Sequence, residues 1–207
     1  MKIGPMCAIA VMVGASPQPG NAGQGERQKV TVYVENDASI PSPLLSRARV
    51  LAGEMFAGVG LQIDWRAGAR PDSQLVREHA IAIRLIPGDP EISKPSVAAF
   101  TAPSEGVHIT VLWNRLAWSL AKPGLASALL AHVLVHEITH ILEGIPRHSE
   151  AGIMKANWTF HDYYEMETTT LPFTVEDIEL IRQGLAERSI QHKASSASIG
   201  SKAASAR

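Results

Sequence analysis

Two residue types, His and Glu, stand in an order able to hold a divalent cation and activate a water beside it. In "AHVLVHEITHILEGIPRHSEAGIM", residues 131–154, His136 and His140 are four apart and Glu137 follows the first of them. On an α-helix, positions four apart lie about 40° from each other around the axis, so both imidazoles point one way and can share an ion. That is half of a tetrahedral zinc site. Glu137 leans to the side of the same face, where its carboxylate can take the proton of a water on the ion without ligating the metal. A third protein ligand has to arrive from elsewhere and leave the fourth position open. His148 is placed to do so: Gly144 and Pro146 stop the helix after Glu143, and the turn swings "RHSE" back toward the two helical imidazoles. Glu143, three residues beyond His140 on that face, competes with it as a carboxylate ligand. His132 lies one turn before His136, but a row from 132 to 140 covers roughly 12 Å, too long for one ion, so it belongs at the rim or behind the ligands. His79, His108, His161 and His192 have no metal spacing and read as surface or strand residues, and Trp65 and Trp158 as packing groups.

The elements that must position these groups can be read from periodicity. "VTVYVE", residues 30–35, alternates Val30, Val32 and Val34 inward with polar residues outward, a half-buried strand. In the next segment Ser42 can cap a helix with Pro43 in its first turn; Leu44, Ala48, Leu51, Ala52 and Met55 share a face before Gly58 and Gly60 end it. "LQIDW", "AIAIRLI" and "VHITVLW" alternate as strands, with a weaker one at "VAAFT". Pro123 and Gly124 open the long apolar helix, Leu125 to Leu142, whose Leu130, Leu134, Ile138 and Ile141 form a core face. Residues 144–172 read as irregular; "FTVEDIELIRQGL" is then a helix capped by Thr174 with Asp177 three residues on. The expected order is β-α-β-β-(β)-β-α, loop, α: an α+β domain with its chemistry placed late.

At "HEITHILEGIPRHSEAGIM" the sequence resembles the metzincin metallopeptidases, most closely the matrixin-like members, whose pattern is H-E-x-x-H-x-x-G-x-x-H followed by a tight turn containing Met beneath the metal. The resemblance implies that His136, His140 and His148 ligate Zn2+, that Glu137 is the general base and that Met154 is the Met-turn methionine. It implies a twisted, mostly parallel N-terminal sheet with two helices, an active-site helix, a Met-turn and a C-terminal helix. It also implies that "GVHITVLW" is the sheet edge beside the cleft and that residues after Met154 wall the pocket for the substrate side chain following the cut. Departures are visible: the second and third His are eight apart rather than six, Gly144 comes four after His140 rather than three, and no Tyr stands two residues after Met154.

Of the 207 residues, 45% are hydrophobic and 19% charged, which suits one globular domain. A formal charge of -1 offers no basic field for a phosphate backbone, so nucleic acid is not an expected partner. Residues 1–22 carry one early Lys, an apolar run from Ile3 to Val13 and small residues up to Ala15, the order of a signal peptide and its processing region, and a run too short to span a bilayer. Residues 23–29 then form a linker, 30–190 the domain, and 191–207 a disordered Ser/Ala-rich tail. The single cysteine, Cys7, falls in the leader, so the processed chain would have no disulfide and no thiolate ligand. The expectation is a secreted or periplasmic zinc metalloendopeptidase acting on peptides or proteins, with no stable membrane insertion. Two other readings stay open: a metzincin-like metal-binding module without turnover, and a metal-free domain that binds a partner through residues 155–172.

Overall fold

The computed structural model describes residues 28–72, 80–88, 99–101 and 107–204. The expected leader, with Cys7, lies outside the described residues. Strand β1 (Gln28–Asn36) begins two residues before the expected domain start, so Gln28 and Lys29 belong to the sheet and not to a linker. Helix α1 (Ser42–Gly58) follows, then β2 (Leu61–Ala67), β3 (Ile81–Ile86), a three-residue β4 (Ala99–Thr101) and β5 (His108–Leu112). The strand order is β2-β1-β3-β5-β4. β1 runs parallel to β2 and β3, β3 runs parallel to β5, and β4 runs antiparallel to β5.

The alternation read from sequence holds in the sheet: Val30, Val32, Val34, Ile81, Ile83, Leu85, Ile109 and Val111 are all buried. Register places Val32 beside Trp65 and Ile81, and Ile83 beside Ile109, so one face is a continuous apolar surface. α1 buries Leu45, Ala48, Ala52, Met55 and Phe56. Ser42 is its first helical residue and not its cap; Pro41 occupies that position without a side-chain hydrogen bond, and Pro43 tolerates the first turn because its missing N–H would be unpaired there anyway. β5 is not the sheet edge, since β4 pairs along it with Phe100 opposite Thr110. The weaker strand read at "VAAFT" is this β4, shortened to its last three residues.

After β5 the chain makes one turn of helix, α2 (Trp113–Leu116), and a 3-10 turn (Ala117–Ala121) before α3 (Pro123–Glu143). α3 is long and apolar enough by composition to cross a bilayer, yet it is buried: from Leu125 to Glu143 only His140 is part-exposed. A helix covered on all sides is a core helix. Gly144, at φ 71°, ends it by donating its N–H to the His140 carbonyl at 3.0 Å. The stretch read as irregular contains a further helix, α4 (Phe160–Met166), closed by a reciprocal capping box between Thr159 and Asp162.

The last helix, α5 (Val175–Ala204), runs through the residues expected to be a disordered tail. Scarcity of large apolar residues argues against packing, but Ala is the best helix former, so such a segment can continue a helix already begun. α5 approaches the end of α3 at Gly184, where an added Cβ would sit 1.8 Å from the Leu142 carbonyl oxygen, and Arg188 donates to the Ile141 carbonyl at 3.1 Å. Gly184→Ala should therefore destabilise the fold by about 1–3 kcal/mol and lower Tm by roughly 3–10 °C. An unchanged thermal melt would contradict this helix-to-helix approach.

Candidate metal centre

α3 presents His136 and His140 one turn apart, and their Nε2 atoms face each other at 3.0 Å. His148 arrives from the turn after Gly144. Its ring lies 5.3 Å from that of His136 and 4.9 Å from that of His140, centroid to centroid. One nitrogen from each of the three imidazoles falls within 4.8 Å of the others, a group able to hold a metal ion. Zinc bound at 2.0–2.1 Å in a tetrahedron sets its ligand atoms about 3.3 Å apart, so small rotations of these rings would suffice. Exposure grades across the group: His136 is buried, His140 intermediate and His148 exposed, which leaves one side of the cluster open to solvent.

The orientation of His136 is fixed from beneath. Its Nδ1–H donates to the Ile153 carbonyl at 2.9 Å, so Nε2 keeps its lone pair for the ion. The turn that supplies this carbonyl is tight: Gly152 has φ 72°, and a Cβ there would meet the Pro172 carbonyl oxygen at 2.2 Å. Ile153 N–H donates to that same Pro172 oxygen at 2.9 Å, and Ser149 N–H donates to Met154 O at 2.8 Å. Met154 is fully buried in the core.

Delivery of His148 across the longer spacing depends on a residue read from the sequence only as a helix cap. Asp177 is fully buried; one carboxylate oxygen accepts from Thr174 N–H at 2.8 Å, closing the cap of α5. The other accepts from Arg147 at 3.0 Å and from the Ser149 hydroxyl at 2.5 Å. The residues on both sides of His148 are thus tied to one carboxylate, and Arg147 also pairs with Glu176 at 2.8 Å. The signal in the sequence was the R-H-S triplet, a donor on each side of the ring, but its acceptor stands some thirty residues on.

Glu143, the rival to His148, is not among the three side chains that converge. It is buried, its carboxylate oxygens find no hydrogen-bond partner among the described residues, and burial pushes its pKa up to about 7. His132 is neither rim nor ligand. Fully buried, it donates from Nδ1 to the Ala128 carbonyl at 2.7 Å and accepts the Leu171 N–H at Nε2, 3.0 Å away, pinning the segment before α5 to the core helix. Among the other histidines, His161 sits 3.4 Å from Glu165 on the surface and His108 lies 2.9 Å from Arg70; His79 and the side chain of His192 lie outside the described residues.

Glu137 opens with His136 and His148 onto a cavity of about 430 Å³, whose walls include Val133 from α3, Ala99 from the edge strand, and Lys155 to Trp158 after the turn. Trp158 packs edge-on to His136 at 5.7 Å and so is a wall of the cavity as well as a packing group. Tyr163 also lines it, whereas Tyr164 points to solvent.

No protein-family model matches the sequence, and no curated protein matches it. Among solved structures, the chain is similar to archaemetzincin from Methanopyrus kandleri, with a TM-score of 0.52 and 17% identity over 80% of this chain and 99% of that one. The two share a fold. That likeness is one of fold, a mixed helix-and-sheet domain with four parallel strands, and it does not single out the matrixin-like branch.

Two outcomes follow from the geometry. Asp177→Ala should cost about 3–5 kcal/mol, because Arg147 is left without its buried partner, and should weaken zinc binding by about 10–100-fold as the His148 turn loosens. Chelator competition on the folded variant measures the second effect; unaltered affinity would contradict the clamp. In the chelated protein, burial lowers the pKa of His132 and His136 below 6.5 and that of His140 to about 4. The unfolded chain takes up these protons first, so stability is full above about pH 6.5 and is lost as pH falls toward 4. Glu143 acts oppositely, its burial costing less as pH falls below about 7 toward 4.5, but it is one group against three. The urea midpoint should therefore be lower at pH 5 than at pH 7; a higher one would refute the assignment.

Proposed function

We propose that this protein is a zinc-dependent metalloendopeptidase acting on peptides or proteins outside the cytoplasm, with His136, His140 and His148 as metal ligands and Glu137 as general base. The observation that carries the reading is the convergence of three imidazole nitrogens within 4.8 Å beside a cavity that Glu137 also lines. The donor set fits the ion: neutral imidazoles suit zinc, and burial holds His136 and His140 in that form near neutral pH. When bound, zinc would polarise the scissile carbonyl and acidify a water.

The chain's own residues supply the rest. Ile153 holds His136 in the tautomer that leaves Nε2 free. Glu137 takes the water's proton and passes it to the leaving amine, acting first as base and then as acid. The short β4 is the sheet edge nearest the cavity, which Ala99 lines, so an extended substrate can add its backbone there. Gly152 keeps the turn that carries Ile153 tight, so His136 stays oriented while substrate exchanges.

Zinc content and cleavage of an unstructured protein, measured on wild type and Glu137→Gln, test the proposal. The variant should keep its zinc and lose about 100-fold or more of its activity. Equal activity in the two proteins would end the mechanism, and a zinc-loaded wild type that cleaves nothing would favour the metal-binding module without turnover.

A further inference from the structure

A second hollow adjoins the metal-side cavity, and nothing in the reaction above uses it. It encloses about 330 Å³ between the 3-10 turn and α4, lined by Trp118, Leu125, Phe160, Tyr163 and Tyr164, with Lys122 and Glu167 among its polar residues. Phe160 is 93% exposed, Tyr164 68% and Trp118 52%. Aromatic side chains left in water forgo the burial that stabilises cores, and a cluster of them marks a surface that meets something apolar.

The hollow is held open. Asp162 closes the cap of α4 through Thr159 and pairs with Lys155, the residue after Met154, at 2.5 Å. At the other end of α4, Glu167 pairs with Lys122 at 2.6 Å, tying the helix to the end of the 3-10 turn. Trp118 packs edge-on to Tyr163 at 5.2 Å. An apolar centre with a polar margin is the layout of a recognition surface.

We propose that this aromatic hollow is a second subsite for the polypeptide substrate, taking an apolar side chain a few residues away from the bond that is cut. The inference rests on the peptidase reading for its occupant. Tyr163 decides between occupants, because it lines both hollows, so the second lies directly beside the cavity that the imidazoles open onto. Side chains on one face of an extended polypeptide recur every two residues, about 6.6 Å apart, so a chain seated by the imidazoles presents its next same-side residues across Tyr163. The cation at the margin, Lys122, is already paired, so among the described residues that line the hollow there is no basic cluster to draw an anionic lipid surface.

The test compares the zinc-loaded wild type with Phe160→Ser/Tyr164→Ser, changes at exposed positions that leave the core untouched. Two substrates are used: a short peptide spanning only the bond cut, and a long unstructured polypeptide rich in apolar residues. The double variant should cleave the short peptide as wild type does and show a KM raised by about tenfold for the long one. Equal kinetics on both substrates, or an equal loss on both, would overturn the proposal. If wild type cleaves neither substrate, the peptidase reading has failed on its own. Fluorescence anisotropy with the labelled long polypeptide then decides: about tenfold weaker binding to the double variant upholds the subsite, and unchanged binding overturns it. A wild-type dimer that the double variant abolishes, with polypeptide handling unaltered, would assign the surface to a second copy and overturn it as well.

Discussion

The buried carboxylate of Asp177 holds two parts of the molecule in one place. It closes the first turn of α5 through Thr174 and grips Arg147 and Ser149, the neighbours of His148. A charged oxygen removed from water must be fully hydrogen-bonded to be tolerated, so these donors have little freedom to leave it. The position of His148 is therefore set by the packing of α5 against α3. That is how a spacing of eight residues between His140 and His148 still brings the ring to the other two.

The remaining support comes from α3 and the turn beneath it. Because α3 is buried along nearly its whole length, its register cannot slide without disturbing the core, and His136 and His140 inherit that rigidity. His132 adds a lock of its own by bonding at both ring nitrogens, to Ala128 and to Leu171. Gly152 lets the chain pass under His136 closely enough for the Ile153 carbonyl to orient the ring. Each constraint lies within a few residues of a ligand, while the open side of the cluster faces the cavity and solvent. Rigid support below and access above is the layout that the proposed metal site would need.

The strands, α1, the core helix and the capped start of α5 were legible because each carries its period or its punctuation in a few consecutive residues. The pair His136 and His140 was legible for the same reason. His148 could be placed in a returning turn from Gly144 and Pro146, but its choice over Glu143 depends on Asp177, and no local pattern reveals a bond across thirty residues. The length of the stripe excluded His132 as a ligand, but sequence shows which face a residue shares and not what covers that face, so its bond to the Leu171 N–H was not legible. β4 was read as a weaker strand at "VAAFT", but its pairing outside β5 was not legible, because the sequence does not show which strands are neighbours. α4 announced itself in Thr159 and Asp162, a capping pair inside a stretch dominated by aromatic and polar residues. The helix past residue 190 shows that a composition poor in apolar residues speaks to packing more than to backbone conformation.

Which atoms would surround a bound zinc ion decides between His148 and Glu143. A crystal grown with zinc, with anomalous scattering recorded on both sides of the zinc edge, would locate it directly. The predicted result is one peak within about 2.0–2.1 Å of a nitrogen from each of His136, His140 and His148, with the Glu143 carboxylate outside the coordination sphere. A peak ligated by Glu143 in place of His148, or no peak at this position in zinc-saturated crystals, would contradict it.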